Sequence, residues 1–231
     1  MVIEDRMSLR PIGGCLVLVG LLGSIQSTST ASPSNSATLP DTPVLNLRLT
    51  ASRELPNLSR TALVKEADAI WRESGHLRLR WLTGDANPDA GMTLRVLVTP
   101  RAVASTLDGH RWAVGELLRF DRSGAIAVAS ITGAQRIVDQ TQSFRLLDVE
   151  LMSQHRLGVV LGRAVAHEIG HYVLRTNTHA PYGLMRAAID AREFADLRSG
   201  SFRLDREAQA HLAARATGIG VVENDFSYST Q

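Results

Sequence analysis

The chain has 231 residues, of which 44% are apolar and 21% charged, proportions that support a packed core and exclude a disordered chain. No apolar run approaches the ~20 residues that span a bilayer as a helix, which excludes a polytopic membrane protein. Its 25 basic and 23 acidic residues nearly balance at a formal charge of +2, and without a dense basic tract no nucleic-acid partner is expected.

Residues 12–23 form a short apolar run behind Arg10, with Ser and Thr following it. This pattern predicts a signal peptide over 1–31 and a secreted or periplasmic protein; an uncleaved N-terminal anchor is the alternative. The mature form then carries no membrane span unless the signal is retained. Residues 32–43, rich in Ser, Thr and Pro, read as a flexible linker, and 44–231 as one domain. Cys15 is the sole cysteine, so a processed chain has no disulfide and no thiol ligand. Any metal site must then use His, Asp or Glu.

Within the domain, Leu45, Leu47 and Leu49 alternate with polar residues and predict a strand. Ser59 is placed as the cap of a helix over 60–74 that buries Leu63, Ala67, Ile70 and Trp71 and ends at Gly75. Leu77, Leu79 and Trp81 predict a second strand, and Leu94, Val96 and Val98 a third, closed by Pro100. This order suggests a crossover between parallel strands. Residues 124–131 predict a further strand at the sheet's edge. A long helix is expected over 157–174, and a last one over 206–217, capped by Asp205 and ended by Gly218. The fold class is α/β or α+β, a mixed, mostly parallel sheet with flanking helices.

The chemistry lies in His167-Glu168-Ile169-Gly170-His171, an H-E-x-x-H motif. Side chains four apart on a helix share a face, so His167 and His171 can reach one zinc ion at about 2.0–2.1 Å. Glu168 then lies beside the metal, placed to take a proton from a metal-activated water. Leu161, Val165, Ile169 and Val173 form a separate stripe for the core. Catalytic zinc needs a third protein ligand and an open position. His179 is the first candidate and Glu193, on a following helix, its rival. Eight residues of continued helix would carry His179 about 12 Å along the axis, so the helix must break. Asn177 tolerates the left-handed turn such a break needs, and Pro181 opposes resumption.

His167-Glu-Ile-Gly-His171, a seven-residue gap, His179, and then Gly183-Leu184-Met185 together resemble the catalytic segment of metzincin-type zinc peptidases. The likeness is greatest to small bacterial secreted members with this gap, and it covers about residues 158–187. It implies zinc on His167, His171 and His179, Glu168 as general base, and Met185 in a Met-turn beneath the metal. The chain departs from better-known metzincins in carrying Leu174 where they have Gly, and in a gap two residues longer. Tyr182 sits where it could touch substrate, whereas His76, His110, His155 and His211 show no ligand spacing.

The expected function is a secreted zinc metallopeptidase, a hydrolase acting on a polypeptide substrate with Glu168 as base. Two alternatives stand beside it: a non-catalytic exported module stapled by zinc, and a zinc hydrolase of a non-peptide substrate. Oligomeric state is not legible in the sequence.

Overall fold

The first strand, β1 (Val44–Ala51), buries Leu45 and Leu47 and leads into the helix α1 (Asn57–Ser74). These elements come from a computed structural model, which describes residues 42–83, 92–101, 114–120, 124–141, 149–198 and 200–216. The expected signal peptide and all but the last two residues of the linker lie outside the described residues. All described elements belong to the unit Leu39–Gln231.

The helix α1 begins a turn earlier than the sequence suggests. Pro56, at φ −57° and ψ 148°, starts it without any side-chain cap, and Arg60 N donates to Pro56 O at 3.0 Å. Proline fits there because no helical bond needs its missing N–H. The expected cap, Ser59, is instead buried inside the first turn, where its hydroxyl donates to Gln154 O at 2.7 Å. Gly75 ends the helix as expected, at φ 70°, with its N–H on Arg72 O.

Strands β2 (Arg78–Leu82), β3 (Met92–Thr99), β4 (Gly115–Phe120) and β5 (Gly124–Ser130) complete a five-stranded sheet in the order β2-β1-β3-β5-β4. The register pairs Leu47 with Trp81 and with Leu94, in parallel on both sides, as the predicted crossover requires. β3 and β5 are also parallel, and only β4 runs antiparallel, against β5. The segment 124–131 is therefore interior, not the edge. Ala125, Ala127, Val128 and Ala129 are all buried, as suits an interior strand, while Ile126 is half-buried. The edge beside β5 belongs to β4, whose sequence Gly-Glu-Leu-Leu-Arg-Phe lacks the alternation that announces a strand; β2 forms the other edge.

The helix α2 (Ile131–Thr141) follows β5 without a loop. Ser130 Oγ accepts from Gly133 N at 3.0 Å and supplies its cap. The long helix α3 (Val149–Leu174) starts two turns before the expected boundary, because exposed Leu151 and Met152 break the apolar period there. Its predicted stripe of Leu161, Val165, Ile169 and Val173 is buried. α1 and α3 touch closely at two glycines: a Cβ at Gly158 would collide with Ser59 O, and one at Gly162 would stand 2.7 Å from Leu63 O. Trp71 Nε1 donates to Ala166 O at 3.2 Å across the same seam. The short helix α4 (Ala191–Ala195) is capped by Asp190, which accepts from Arg192 N at 2.8 Å. The last helix, α5 (Arg206–Ala216), uses Asp205 as predicted, its Oδ1 accepting from Ala208 N at 2.8 Å. No helix among the described residues is long and apolar enough to cross a membrane.

Candidate metal centre

His167, Glu168 and His171 sit on the last two turns of α3, with Ile169 buried on the opposite side. The helix stops at Leu174, and Arg175 takes the left-handed turn at φ 52°. The sequence assigns that turn to Asn177. Leu174 is itself buried, so the chain must reverse at the next residue, the ordinary C′ position. Thr176 N then donates to His171 O at 3.3 Å, and the reversed chain brings His179 back to the helix.

Among the described residues, His167, His171 and His179 form a group whose candidate ligand atoms all lie within 4.8 Å of one another. Ring centroids are 4.6 Å apart for His167–His171, 4.9 Å for His171–His179 and 5.4 Å for His167–His179. Two of the rings are oriented by backbone carbonyls. His167 Nδ1 lies 2.7 Å from Leu184 O, and His171 Nδ1 lies 2.8 Å from Thr176 O. A carbonyl only accepts, so both Nδ1 atoms carry the proton and both Nε2 atoms present lone pairs. Those two lone pairs face each other at 3.0 Å.

Neither Nε2 can donate to the other in that tautomer, so the contact is repulsive unless a cation lies between them. Two imidazoles on one tetrahedral zinc hold their nitrogens about 3.3 Å apart, close to this spacing. The donor set therefore fits zinc: neutral nitrogens, oriented from behind by carbonyls in the manner of metal-ligating histidines. Protonation of one ring would also relieve the repulsion, but burial works against it. His167 is held down to about 4, by burial first and then by His171 and His179, and burial lowers His171 and His179 as well.

Glu168 is only 5% exposed and makes no hydrogen bond or ion pair among the described residues. Burial, with Glu116 of β4 adding repulsion, pushes its carboxyl up to about 8. The carboxylate lies against Gly115 at the start of β4, where a Cβ would stand 2.7 Å from Oε1. A cation held by the neighbouring histidines opposes that rise by favouring the ionised form. β4 is tied to the same helix end by Arg119, whose Nη2 donates to His171 O at 2.6 Å. Gly115, Glu116 and Arg119 escaped the sequence reading because the strand carrying them did.

Met185 is buried against α3 at Gly170, between the two helical histidines, where any Cβ would collide with its sulfur. The segment holding it is pinned by Ala180 N donating to Met185 O at 2.9 Å and Leu184 N to Arg203 O at 2.7 Å. Glu193 does not join the histidines. Its carboxylate pairs with Arg186, whose Nη1 donates to Oε2 at 3.1 Å, and that bond holds it below the usual carboxylate range. Tyr182 stands 74% exposed. His76, His155 and His211 are outside the group, and His110 lies outside the described residues.

No protein-family profile matches the sequence, and no curated protein matches it at significant similarity. Among solved structures, archaemetzincin from Methanopyrus kandleri is similar with a TM-score of 0.43 at 16% identity, over 76% of this chain and 96% of that one. A likeness of that size assigns no chemistry, and the function is read from the site itself.

Proposed function

We propose that the protein is an exported zinc-dependent peptidase, with His167, His171 and His179 as metal ligands and Glu168 as general base. The observation that carries this reading is the pair of lone-pair nitrogens facing each other at 3.0 Å, with both partner nitrogens committed to carbonyls. When bound, zinc supplies Lewis-acid polarisation of a carbonyl and acidification of a water.

The chain's own residues do the rest. The carbonyls of Leu184 and Thr176 hold the tautomer and aim two rings. Glu168, adjacent in sequence to a ligand and without a hydrogen bond or ion pair among the described residues, takes a proton from the nucleophile and returns it to the leaving amine. A buried carboxyl without a hydrogen bond costs stability, and a purely structural metal site has no use for it. That cost favours a hydrolase over the inert zinc-stapled module. β4 supports a peptide substrate: it is an edge strand whose outer side can pair with an extended chain, next to Glu168. Export rests on the apolar run 12–23 behind Arg10.

Metal analysis and peptide hydrolysis, measured together on purified protein, test the reading. The native chain binds one zinc. His179→Ala loses most of it, while Glu168→Ala keeps the metal and loses hydrolysis by roughly 10²- to 10⁴-fold. Unchanged turnover in Glu168→Ala removes the mechanism, and zinc-loaded native protein that cleaves no peptide in a diverse library favours the inert module.

A further inference from the structure

The sheet has a second face, with a character of its own. Gly115 is the register neighbour of Ala129 and faces Glu168 of α3, so the face carrying Leu45, Leu47, Leu94, Val96, Val98 and Ala129 is the helix-covered one. Side chains alternate along a strand, so the intervening residues point the other way. On β2, β1 and β3 these include Arg78, Arg80, Arg48 and Arg95; on β5 and β4 they include Ile126, the buried Val128, Glu116, Leu118 and Phe120.

The register gathers these residues from distant stretches of chain. Arg48 is the direct neighbour of Arg95, and Asn46 of Arg80, whose Nε donates to Asn46 Oδ1 at 2.7 Å. Continuing past Arg95, the same row reaches Ile126 and then Leu118. Arg78, Arg80 and Arg95 are exposed, and none makes an ion pair among the described residues. Leu118 is 37% exposed and Phe120 45%. Like charges placed directly opposite across a sheet cost stability, as do large apolar groups left in water. A surface about 19 Å wide at the usual strand spacing thus has a basic half beside a half that is apolar apart from Glu116.

We propose that this face docks the protein on an anionic membrane surface. The guanidinium groups of Arg78, Arg80 and Arg95 pair with lipid phosphates, and Leu118 and Phe120 enter the boundary between headgroups and acyl chains. The apolar half is what selects a lipid surface. A nucleic acid or an acidic polypeptide would satisfy the arginines and leave Leu118 and Phe120 in water.

The test is co-sedimentation of the full chain with phosphatidylcholine vesicles, with and without about one-third phosphatidylglycerol. The quantity read is the difference between the two, because an apolar N-terminal segment would bind both alike. Each arginine near an anionic surface contributes about fivefold in partitioning, so Arg78→Gln/Arg80→Gln/Arg95→Gln is expected to lose on the order of a hundredfold. A matched variant with the same charge change, Arg53→Gln/Arg192→Gln/Arg206→Gln, keeps the native difference. Phe120→Ser lowers binding while leaving its salt dependence in place. Circular dichroism and melting temperature confirm that each variant is folded. Equal losses in the two triple variants overturn the proposal, as does binding indifferent to lipid charge. Capture by polyglutamate or by DNA without any by anionic vesicles assigns the face to another partner and also overturns it.

Discussion

Glu168 shows how one residue's environment sets a measurable property. Its carboxyl is raised from the ordinary 4.5 to about 8, so in metal-free protein the folded state holds a proton that the unfolded chain releases. Its contribution is therefore fully present below the unfolded value and is lost as pH rises through 8. His167, lowered from 6.5 to about 4, acts in the opposite sense: folding is penalised as pH falls below 6.5. With His171 and His179 lowered too, metal-free protein is most stable near pH 6.5. Between pH 6.5 and 8 it loses about 2 kcal/mol, the equivalent of 1.5 pH units of one proton. Glu168→Gln, which mimics the protonated form, abolishes that loss in denaturant titrations at the two pH values. A native-like slope in that variant would assign the loss to another group. The motif made His167, Glu168 and His171 legible, because four-residue spacing is itself a geometric statement on a helix. The shift on Glu168 was not, since it depends on burial beneath β4 and on Glu116, a strand away in the fold.

Among the elements, α3 and its seam with α1 decide where the site stands. Gly162, like Gly158, is a close approach that a side chain would disturb, with Leu63 O at 2.7 Å and Glu66 Cβ at 2.8 Å from an added Cβ. Alanine at an ordinary helix position gains about 1 kcal/mol over glycine. Here the obstacle is backbone, which cannot swing aside, and overpacking of that kind costs about 1–3 kcal/mol. Gly162→Ala is thus expected to destabilise by up to about 2 kcal/mol in urea unfolding, despite its better propensity. An increase in stability would mean that α1 and α3 part freely. The stripe of Leu161, Val165, Ile169 and Val173 was plain from its period, and Gly75 and Asp205 were plain as caps. Ser59 was not: it has the chemistry of a cap, but its hydroxyl is taken by Gln154 O, on a helix 95 residues away. β4 and the interior position of β5 were hidden for a related reason, because strand order follows from partners that local alternation does not name.

For the whole molecule, a zinc ion on His167, His171 and His179 would link the end of α3 to the returning chain. The described segment 175–186 is held by backbone bonds at Thr176, Ala180 and Leu184, and His179 would add a metal tether. A ligand bound only by the folded state stabilises it by about 2.7 kcal/mol at a free concentration 100 times its dissociation constant. Chelation is therefore expected to lower the melting temperature by several degrees, reversibly on re-addition of zinc. The same chelation leaves His179→Ala almost unmoved. A native protein whose melting point ignores the chelator would show that the imidazoles do not share an ion.

By itself the sequence determined the parallel α/β core, the helix bearing the histidines and the need for that helix to break before residue 179. Each of these follows from periodicity or spacing within one stretch of chain. The tertiary structure alone decided that Arg175 takes the turn, that Glu193 pairs with Arg186, that β4 is an edge and that arginines from β1, β2 and β3 meet on one face. Those outcomes depend on which distant segments become neighbours, and a local pattern carries no record of its neighbours.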